Sequence, residues 1–233
     1  LVVPMLDTMH KLRALSPEEC EQFNTVTAKS VVYIYMSHLP NYKKFLMETD
    51  FTNVFKWHKK FFQILELSGR PKNWLFKDPS HIEHIPEILK IYPKARFIHI
   101  FRDPIKSITS TCSLTEKLWS GLCNQIDRKL IGEQTIEFWE NAILKNKEGR
   151  TLLDSTTNLD IDYADFIKDP IATMENIYDF INKPFEESIK TKMEFHIRNH
   201  KKHKYGKHHY KLKDYGLTEE IIEDRIASKW QIN

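Results

Sequence analysis

The chain has 233 residues, of which 41% are hydrophobic and 29% are charged, so its composition excludes a wholly disordered protein. The formal net charge is only +3, yet the segment from His196 to Lys213 holds seven lysine and arginine residues and no acidic residue. Because the rest of the chain is net acidic, we expect one local anion site rather than a nucleic-acid binder that is basic over its whole surface.

The glycine and cysteine residues exclude several kinds of binding site. The six glycines lie ten or more residues apart, whereas a Walker A loop or a G-x-G-x-x-G loop needs closely spaced glycines. Cys20, Cys112 and Cys123 lack the spacing of metal ligands, and the sequence shows neither an N-x-[ST] acceptor nor a secretory leader. We therefore expect a cytoplasmic location, and no membrane segment in this chain, since no apolar run approaches about 18 residues.

The first 70 residues are predicted to be helical. A capping box at Ser16-Pro17-Glu18-Glu19 predicts a helix that continues to about residue 32. A second helix is predicted over residues 51–67, where apolar residues recur at helical spacing. Base rates place most aromatic residues of the regions 41–68 and 115–150 in the core, namely Phe45, Phe51, Trp57, Phe61, Trp119 and Trp139.

After residue 70, strands are predicted to alternate with helices. Trp74-Leu75-Phe76 and the run at 97–101 are rich in β-forming residues, and Pro86 fits the first turn of a crossover helix between them. Asp103 and Pro104 predict the start of a helix that continues to about residue 114, and alternation predicts a third strand at 159–163. Further helices are expected at 134–145, 170–181, 185–200 and 218–230, with a basic loop at 201–214.

This pattern predicts an α/β fold. We expect one domain over residues 1–233, with a helical part at 1–70 and a sheet core with C-terminal helices at 71–233. The sheet is predicted to be parallel and flanked by helices, so that the domain has three layers.

Arg102 follows the second predicted strand at the point where the next helix begins. A helix N-terminus attracts anions, an arginine fork suits phosphate, and Ser110 lies two helical turns after the capping residue on the same side. These residues predict a phosphate site built without glycine. The alternative is an ordinary surface pair of Arg102 and Asp103.

The ends of two other predicted strands also carry residues of types that are used in catalysis or in ligand binding. Lys77 and His81 follow the first predicted strand, at the edge where open α/β sheets bind ligands. At such an edge a lysine is able to neutralise the charge of a leaving group, and a histidine is able to accept a proton. Tyr163 ends the third strand, where its ring suits stacking on a planar base. The alternatives are a solvent-directed lysine, a histidine that braces a turn, and a core tyrosine.

The basic segment allows several interpretations. It is a solvated charged loop, or a lid that closes over a phosphate-rich anion, or a surface for nucleic acid with only Tyr205 and Tyr210 to stack on bases. A zinc site would use His196, His200 and His203, but the segment offers no cysteine or carboxylate to complete the ligand set.

In this order, these motifs resemble those of the sulfotransferase superfamily that uses 3′-phosphoadenosine 5′-phosphosulfate. The likeness covers about residues 15–230, and Ala164 stands where the family has glutamate. The matching segments are Trp74-Leu75-Phe76-Lys77-Asp78-Pro79-Ser80-His81 (W-x-x-K-x-P-x-H), Tyr92-Pro93-Lys94-Ala95-Arg96-Phe97, Arg102-Asp103-Pro104 with Ser110, Tyr163-Ala164-Asp165 with Asp169-Pro170, and Gly206-Lys207-His208-His209-Tyr210 with Asp214-Tyr215-Gly216-Leu217.

The resemblance implies a P-loop-kinase-like sulfotransferase fold and transfer of a sulfuryl group to a hydroxyl or amine of a small-molecule or glycan acceptor. It implies no metal and no nucleic-acid partner. By the same resemblance, His81 takes the acceptor proton, although tyrosine-directed relatives use a glutamate, and Lys77 steadies the leaving phosphate. The implied nucleotide-binding residues are Arg102 and Ser110 at the 3′-phosphate, Tyr163 beside the adenine, and Gly206, Lys207 and His208 on a closing loop.

One part of the family pattern is missing from this sequence. The family opens with a strand and a loop similar to P-R-S-G-T-T, which holds the 5′-phosphosulfate, and no such segment occurs here. Two expectations follow. Either the missing strand and loop are present in a longer, full-length protein that is an enzyme, or the protein is a non-catalytic relative that holds a nucleotide or a partner.

Overall fold

A computed structural model describes residues 17–67, 69, 73–199 and 211–230. The elements within these residues are α1 (Glu21–Asn24), α2 (Val32–Met36), α3 (Pro40–Glu48), α4 (Thr52–Glu66), α5 (Ile85–Ile91), β1 (Phe97–Phe101), α6 (Pro104–Ser120), α7 (Arg128–Arg150), β2 (Asn158–Asp162), α8 (Tyr163–Lys168), α9 (Pro170–Phe180), α10 (Glu187–Asn199) and α11 (Glu219–Arg225). None of the helices in this part of the chain is long and apolar enough to cross a membrane.

β1 and β2 pair in parallel, with Phe101 opposite Asp162 at their shared carboxyl end. Arg150, the last residue of α7, joins that helix to the sheet, because its Nη1 atom lies 2.9 Å from Asp160 Oδ1 and 2.7 Å from His99 Nδ1. Helices and a parallel sheet therefore pack together, and the predicted α/β class is confirmed.

The sequence-based elements are confirmed for α4, α5, β1, the start of α6, and β2. The helices α6 and α7 are longer than predicted, and the closing helix is shorter, since α11 ends at Arg225 and a 3₁₀ turn follows at Ala227–Lys229. Residues 212–215, predicted as part of a loop, form a 3₁₀ turn, whereas residues 200–210 lie outside the described part.

The single helix predicted up to about residue 32 is wrong. Ser16 lies outside the described residues, and the chain beyond it forms α1, a 3₁₀ turn and then the separate helix α2. The break is at Ala28, whose φ of 54° is in the left-handed region. Ser30 fixes the new direction, because its hydroxyl bonds the Glu21 carboxylate and its amide donates to the Tyr42 hydroxyl at 3.0 Å.

The prediction of a strand at Trp74-Leu75-Phe76 is wrong, because this segment has no ladder partner among the described residues. The rings of Trp74 and Phe76 instead pack on Phe62 of α4, with centroids 4.6 and 4.7 Å away. Leu75, between them, is 87% exposed. The alternation of a strand is therefore present, while the pairing that would make it part of the sheet is not.

Glycine lets the segment after residue 210 approach α7 closely. A Cβ atom on Gly132 would lie 2.1 Å from the carbonyl oxygen of Tyr215, and Gly216 has a φ of 69° that favours glycine. The Tyr215 hydroxyl donates to Glu116 of α6 at 2.8 Å. These contacts fix residues 211–217 against α6 and α7, where they form one wall of the groove described below.

Three of the six aromatic residues predicted to be mostly core are exposed. Phe51 and Trp119 are buried and Trp139 is half-buried, in agreement with the prediction. Phe45, Trp57 and Phe61 are 46%, 60% and 41% exposed, because other residues form the buried faces of α3, which holds Phe45, and of α4, which holds Trp57 and Phe61.

Candidate functional site

Arg102 and Tyr163 lie together at the carboxyl edge of the sheet. Each is the first residue after its strand, and the register that pairs Phe101 with Asp162 brings them side by side. The guanidinium carbon of Arg102 lies 5.1 Å from the centroid of the Tyr163 ring, which is within the range of a cation–π contact. Two residues predicted from separate motifs therefore belong to one site.

The N-terminus of α6 is occupied by its own capping residue. Asp103 accepts hydrogen bonds from the amides of Ile105 and Lys106 at 2.9 and 3.3 Å, and the Lys106 ammonium lies 3.0 Å from the Asp103 carboxylate. The prediction that free amides at this helix start receive an anion is wrong for these two amides, because the cap already satisfies them. The positive potential at this edge comes instead from side chains.

A groove of about 690 Å³ opens beside Arg102. It is lined by Arg102, Ile105, Lys106, Thr109, Lys211, Leu212, Lys213, Leu217, Thr218 and Glu219. Four of these residues are basic and one is acidic, so the groove is suited to an anion. Ser110 is half-buried on α6, one turn after Lys106, and is not among the lining residues.

Most of the groove residues, among them Lys106, Thr109, Lys211 and Lys213, were not predicted as site residues. Lys211 and Lys213 belong to the predicted basic segment, but their place in the groove follows from the Gly132–Tyr215 contact, which the sequence did not indicate. Gly206, Lys207 and His208, as well as His200 and His203, lie outside the described residues. Within the described part, no group of three His, Cys, Asp or Glu residues is arranged to hold a metal ion.

Lys77 is held by the segment that precedes α1. Its Nζ atom donates to the Glu19 carboxylate, and its main-chain carbonyl accepts from the Cys20 amide at 2.9 Å. Partial burial lowers the pKa of Lys77, opposed by the nearby carboxylates of Asp78 and Glu18. Glu19 was singled out only as part of a capping box, so its place beside Lys77 was not predicted.

His81 lies in a 3₁₀ turn (Pro79–Glu83) among aromatic rings, 5.8 Å from the Phe55 ring and 6.5 Å from the His58 ring. Burial, followed by the charge of His84, lowers the pKa of His81 to about 4, so the imidazole is neutral at pH 7. Its Nε2 atom is buried without a hydrogen-bond partner in the described part of the chain. A neutral ring is able to accept a proton, and a packed ring braces the turn, so both interpretations of His81 stand.

Three carboxyl groups in or near residues 74–81, which we call the Lys77 motif, are buried. They belong to Glu21, Asp78 and Glu83. The Ser80 hydroxyl lies 2.7 Å from Asp78 Oδ1 and 3.2 Å from Glu21 Oε2. Burial and then Asp78 raise the pKa of Glu21 to about 7, and burial raises the pKa of Glu83 to about 8 despite the charge of Lys145. This cluster was not predictable from local sequence patterns, because Glu21 lies in α1 whereas Asp78 and Glu83 lie at the start and the end of the 3₁₀ turn.

Several known proteins similar to this chain are sulfotransferases of mycobacteria. Two proteins named omega-hydroxy-beta-dihydromenaquinone-9 sulfotransferase Stf3, from Mycobacterium tuberculosis and Mycobacterium bovis, are each 27% identical over 168 residues. That alignment covers 70% of this chain and 41% of each relative, so the chain spans less than half of their length.

Solved structures show the same relationship. The sulfotransferase STF1 from Mycobacterium tuberculosis matches with a TM-score of 0.82 at 28% identity, over 94% of this chain and 57% of that protein. STF9 from Mycobacterium avium shares the fold with a TM-score of 0.83 at 23% identity, over 100% of this chain and 64% of that one. The model of the sulfotransferase family matches residues 3–187, which is most of the sequence, and the chain therefore belongs to the sulfotransferase family.

Proposed function

We propose that the full-length protein transfers a sulfuryl group from 3′-phosphoadenosine 5′-phosphosulfate to a hydroxyl or amine of a small-molecule acceptor. The observation that supports this most directly is the position of Arg102 over Tyr163, beside a groove with three lysines. A guanidinium suits phosphate, and an aromatic ring suits a base, so the pair fits the two ends of an adenosine phosphate.

In this proposal Arg102 binds the 3′-phosphate, with Ser110 as a second partner, and Tyr163 lies beside the adenine. Lys106, Lys211 and Lys213 supply further positive charge along the groove. Gly206, Lys207 and His208 are proposed to complete the nucleotide site, on the strength of the sequence resemblance alone. The donor is a substrate, and the proposal needs no metal, because cationic side chains neutralise its charge.

The proposed chemistry is an in-line displacement at sulfur. The acceptor oxygen or nitrogen forms a bond to sulfur, the bond from sulfur to the bridging oxygen of the 5′-phosphate breaks, and the bisphosphate leaves with that electron pair. Lys77 is proposed to steady the bridging oxygen, which requires its Nζ atom to exchange Glu19 for the leaving group. His81 is proposed to take the acceptor proton, since its ring is neutral at pH 7.

The relatives favour a hydroxyl acceptor over an amine. The two proteins named Stf3 are named for an omega-hydroxy-beta-dihydromenaquinone-9, a compound whose name includes a hydroxyl group. We propose a hydroxyl-bearing small molecule as the acceptor of this protein as well.

A transfer assay tests the proposed function. The full-length protein is incubated with the ³⁵S-labelled donor and a panel of aliphatic alcohols, phenols and amines, with the Arg102→Ala variant as the control. Labelled product with the wild type, and at least tenfold less with the variant, supports the proposal. If the protein binds adenosine 3′,5′-bisphosphate but labels no acceptor in the panel or in cell extract, the non-catalytic binding protein is the better interpretation.

A further inference from the structure

The outward face of α4 carries an exposed apolar stripe. Trp57, Phe61 and Ile64 recur at spacings of four and three residues and are 60%, 41% and 64% exposed. Leu67, directly after the helix, is 86% exposed. Residues at this spacing lie on one side of a helix, so the side chains form a continuous surface.

This stripe is separate from the face that anchors the helix. The buried residues of α4 are Val54, Phe55, His58 and Phe62. Within the described residues, Phe61 is the one member of the stripe with a close aromatic neighbour, since its ring centroid lies 4.3 Å from that of Phe23 in α1 and 5.8 Å from that of Phe62. The fold therefore does not use Trp57 and Ile64 to fill its core, although both are large and apolar.

The border of the stripe is basic. Helix α4 contains three lysines and one acidic residue, Glu66, whose carboxylate accepts a hydrogen bond from the Trp74 indole at 2.7 Å. Lys60 lies with its Nζ atom 5.1 Å from the Trp57 ring, and Lys56 is exposed one residue before Trp57. Lys59 is directed elsewhere, since its ammonium donates to the Ile91 carbonyl at 3.2 Å. Lys56 and Lys60 are thus the basic groups of α4 next to Trp57.

We propose that this face of α4 docks the protein onto the surface of an anionic phospholipid bilayer. Trp57 and Ile64 would enter the headgroup boundary, where a tryptophan ring is favoured, and Lys56 and Lys60 would contact lipid phosphates. The charge complementarity selects this occupant, because basic residues next to an apolar stripe attract anionic headgroups and repel another copy of the same face. The helix lies in the plane of the membrane and does not cross it.

Vesicle co-sedimentation of the full-length protein tests this proposal. We expect binding to vesicles of phosphatidylcholine with 30% phosphatidylglycerol, as a composition chosen for the experiment, and at least tenfold weaker binding to phosphatidylcholine alone. The Trp57→Ser/Ile64→Ser double variant is expected to bind at least tenfold more weakly than the wild type. The Lys56→Gln/Lys60→Gln double variant is expected to lose the preference for phosphatidylglycerol.

Leu144→Ser is the matched control, because Leu144 is 46% exposed on a different helix, α7. Its vesicle binding should equal that of the wild type, and the melting temperatures of all variants should stay close to the wild type, since the changed side chains are exposed. The proposal is overturned if the wild type does not bind anionic vesicles, or if the double variant binds them equally well. It is also overturned if light scattering shows a dimer that the Trp57→Ser/Ile64→Ser change dissociates, because a second copy would then cover the stripe.

Discussion

The Tyr163 ring lies under the guanidinium group of Arg102 because β1 and β2 are parallel and end in register. Asp162 caps α8 through the amide of Ala164 at 2.6 Å, which turns the chain sharply and leaves Tyr163 beside the strand end. On the other strand, Asp103 caps α6 in the same way. Two capped helix starts therefore place a cation and an aromatic ring together at the carboxyl edge of the sheet.

Tyr163 is expected to bind the nucleotide through its ring and not through its hydroxyl. Tyr163→Phe should keep the affinity for adenosine 3′,5′-bisphosphate within about twofold, whereas Tyr163→Ala should lose about 1–3 kcal/mol of stacking, or roughly five- to 150-fold in affinity. Isothermal titration calorimetry measures both values. Equal affinities for the phenylalanine and alanine variants would show that the ring does not stack on the base.

Lys77 is expected to act on turnover more than on binding. Replacing Lys77 by alanine removes one positive group at the leaving oxygen, so kcat should fall by about 10²–10³-fold while nucleotide affinity changes less than tenfold. Lys94→Ala, another exposed lysine, is the control in the same steady-state assay. A Lys77→Ala enzyme with the wild-type kcat would assign this lysine to the Glu19 ion pair alone.

The His81→Ala substitution distinguishes a proton-accepting role of His81 from a structural role. If it accepts the acceptor proton, His81→Ala should lower kcat by about 10²–10⁴-fold with nearly unchanged nucleotide affinity. The wild-type rate should then be lost only as the pH falls towards 4, because protonation of the base stops the reaction and burial lowers the pKa of His81 to about 4. Normal turnover with a lower melting temperature would instead make His81 a brace for the turn.

Glu83 is expected to make stability fall as the pH rises. The ordinary pKa of this carboxyl is 4.5 and burial raises it to about 8, so between these values the folded protein holds a proton that the unfolded chain has lost. The contribution to the free energy of unfolding is fully present below pH 4.5 and decreases by up to about 1.4 kcal/mol per pH unit above it.

The Glu83→Gln variant tests the direction of this pH dependence, because a glutamine side chain has the shape of glutamate but does not ionise. The variant should be more stable than the wild type at pH 8 and similar to it at pH 5, as measured by urea unfolding. The opposite pH dependence of His58 and His81, whose pKa values burial lowers, is present in both proteins and cancels in the difference. Glu133→Gln, on the exposed side of α7, is the control; parallel curves for Glu83→Gln and the wild type would refute the prediction.

Local sequence patterns predicted much of the fold correctly. Asp103 followed by Pro104 is typical of a helix start, and the run ending at Phe101 is rich in β-forming residues, so the position of Arg102 between a strand and a helix was predictable. The break at Ala28 was not, because nothing in the local sequence signals a left-handed alanine, and the contacts that hold it, from Ser30 to Glu21 and Tyr42, are not local.

The site was predictable only where it follows the ends of strands. Arg102 and Tyr163 could be assigned because strand ends meet at one edge of a parallel sheet. The Glu19–Lys77 ion pair and the buried Glu21, Asp78 and Glu83 carboxyls depend on how residues 17–21 pack on the Lys77 motif, which no periodicity encodes. The groove wall at 211–217 likewise depends on the absence of a side chain at Gly132.

Recognition of the 3′-phosphate of the donor nucleotide by Arg102 is tested most directly by calorimetry of the full-length protein. The titration compares adenosine 3′,5′-bisphosphate with adenosine 5′-monophosphate, which lacks that phosphate, on the wild type, Arg102→Ala and Arg96→Ala. Arg96 directly precedes β1, at the end opposite to Arg102, and donates to the Phe180 carbonyl at 2.6 Å, so it controls for the loss of an arginine next to this strand. We predict that the wild type and Arg96→Ala prefer the bisphosphate, and that Arg102→Ala loses about ten- to a hundredfold of this preference. An unchanged preference in Arg102→Ala would contradict the account.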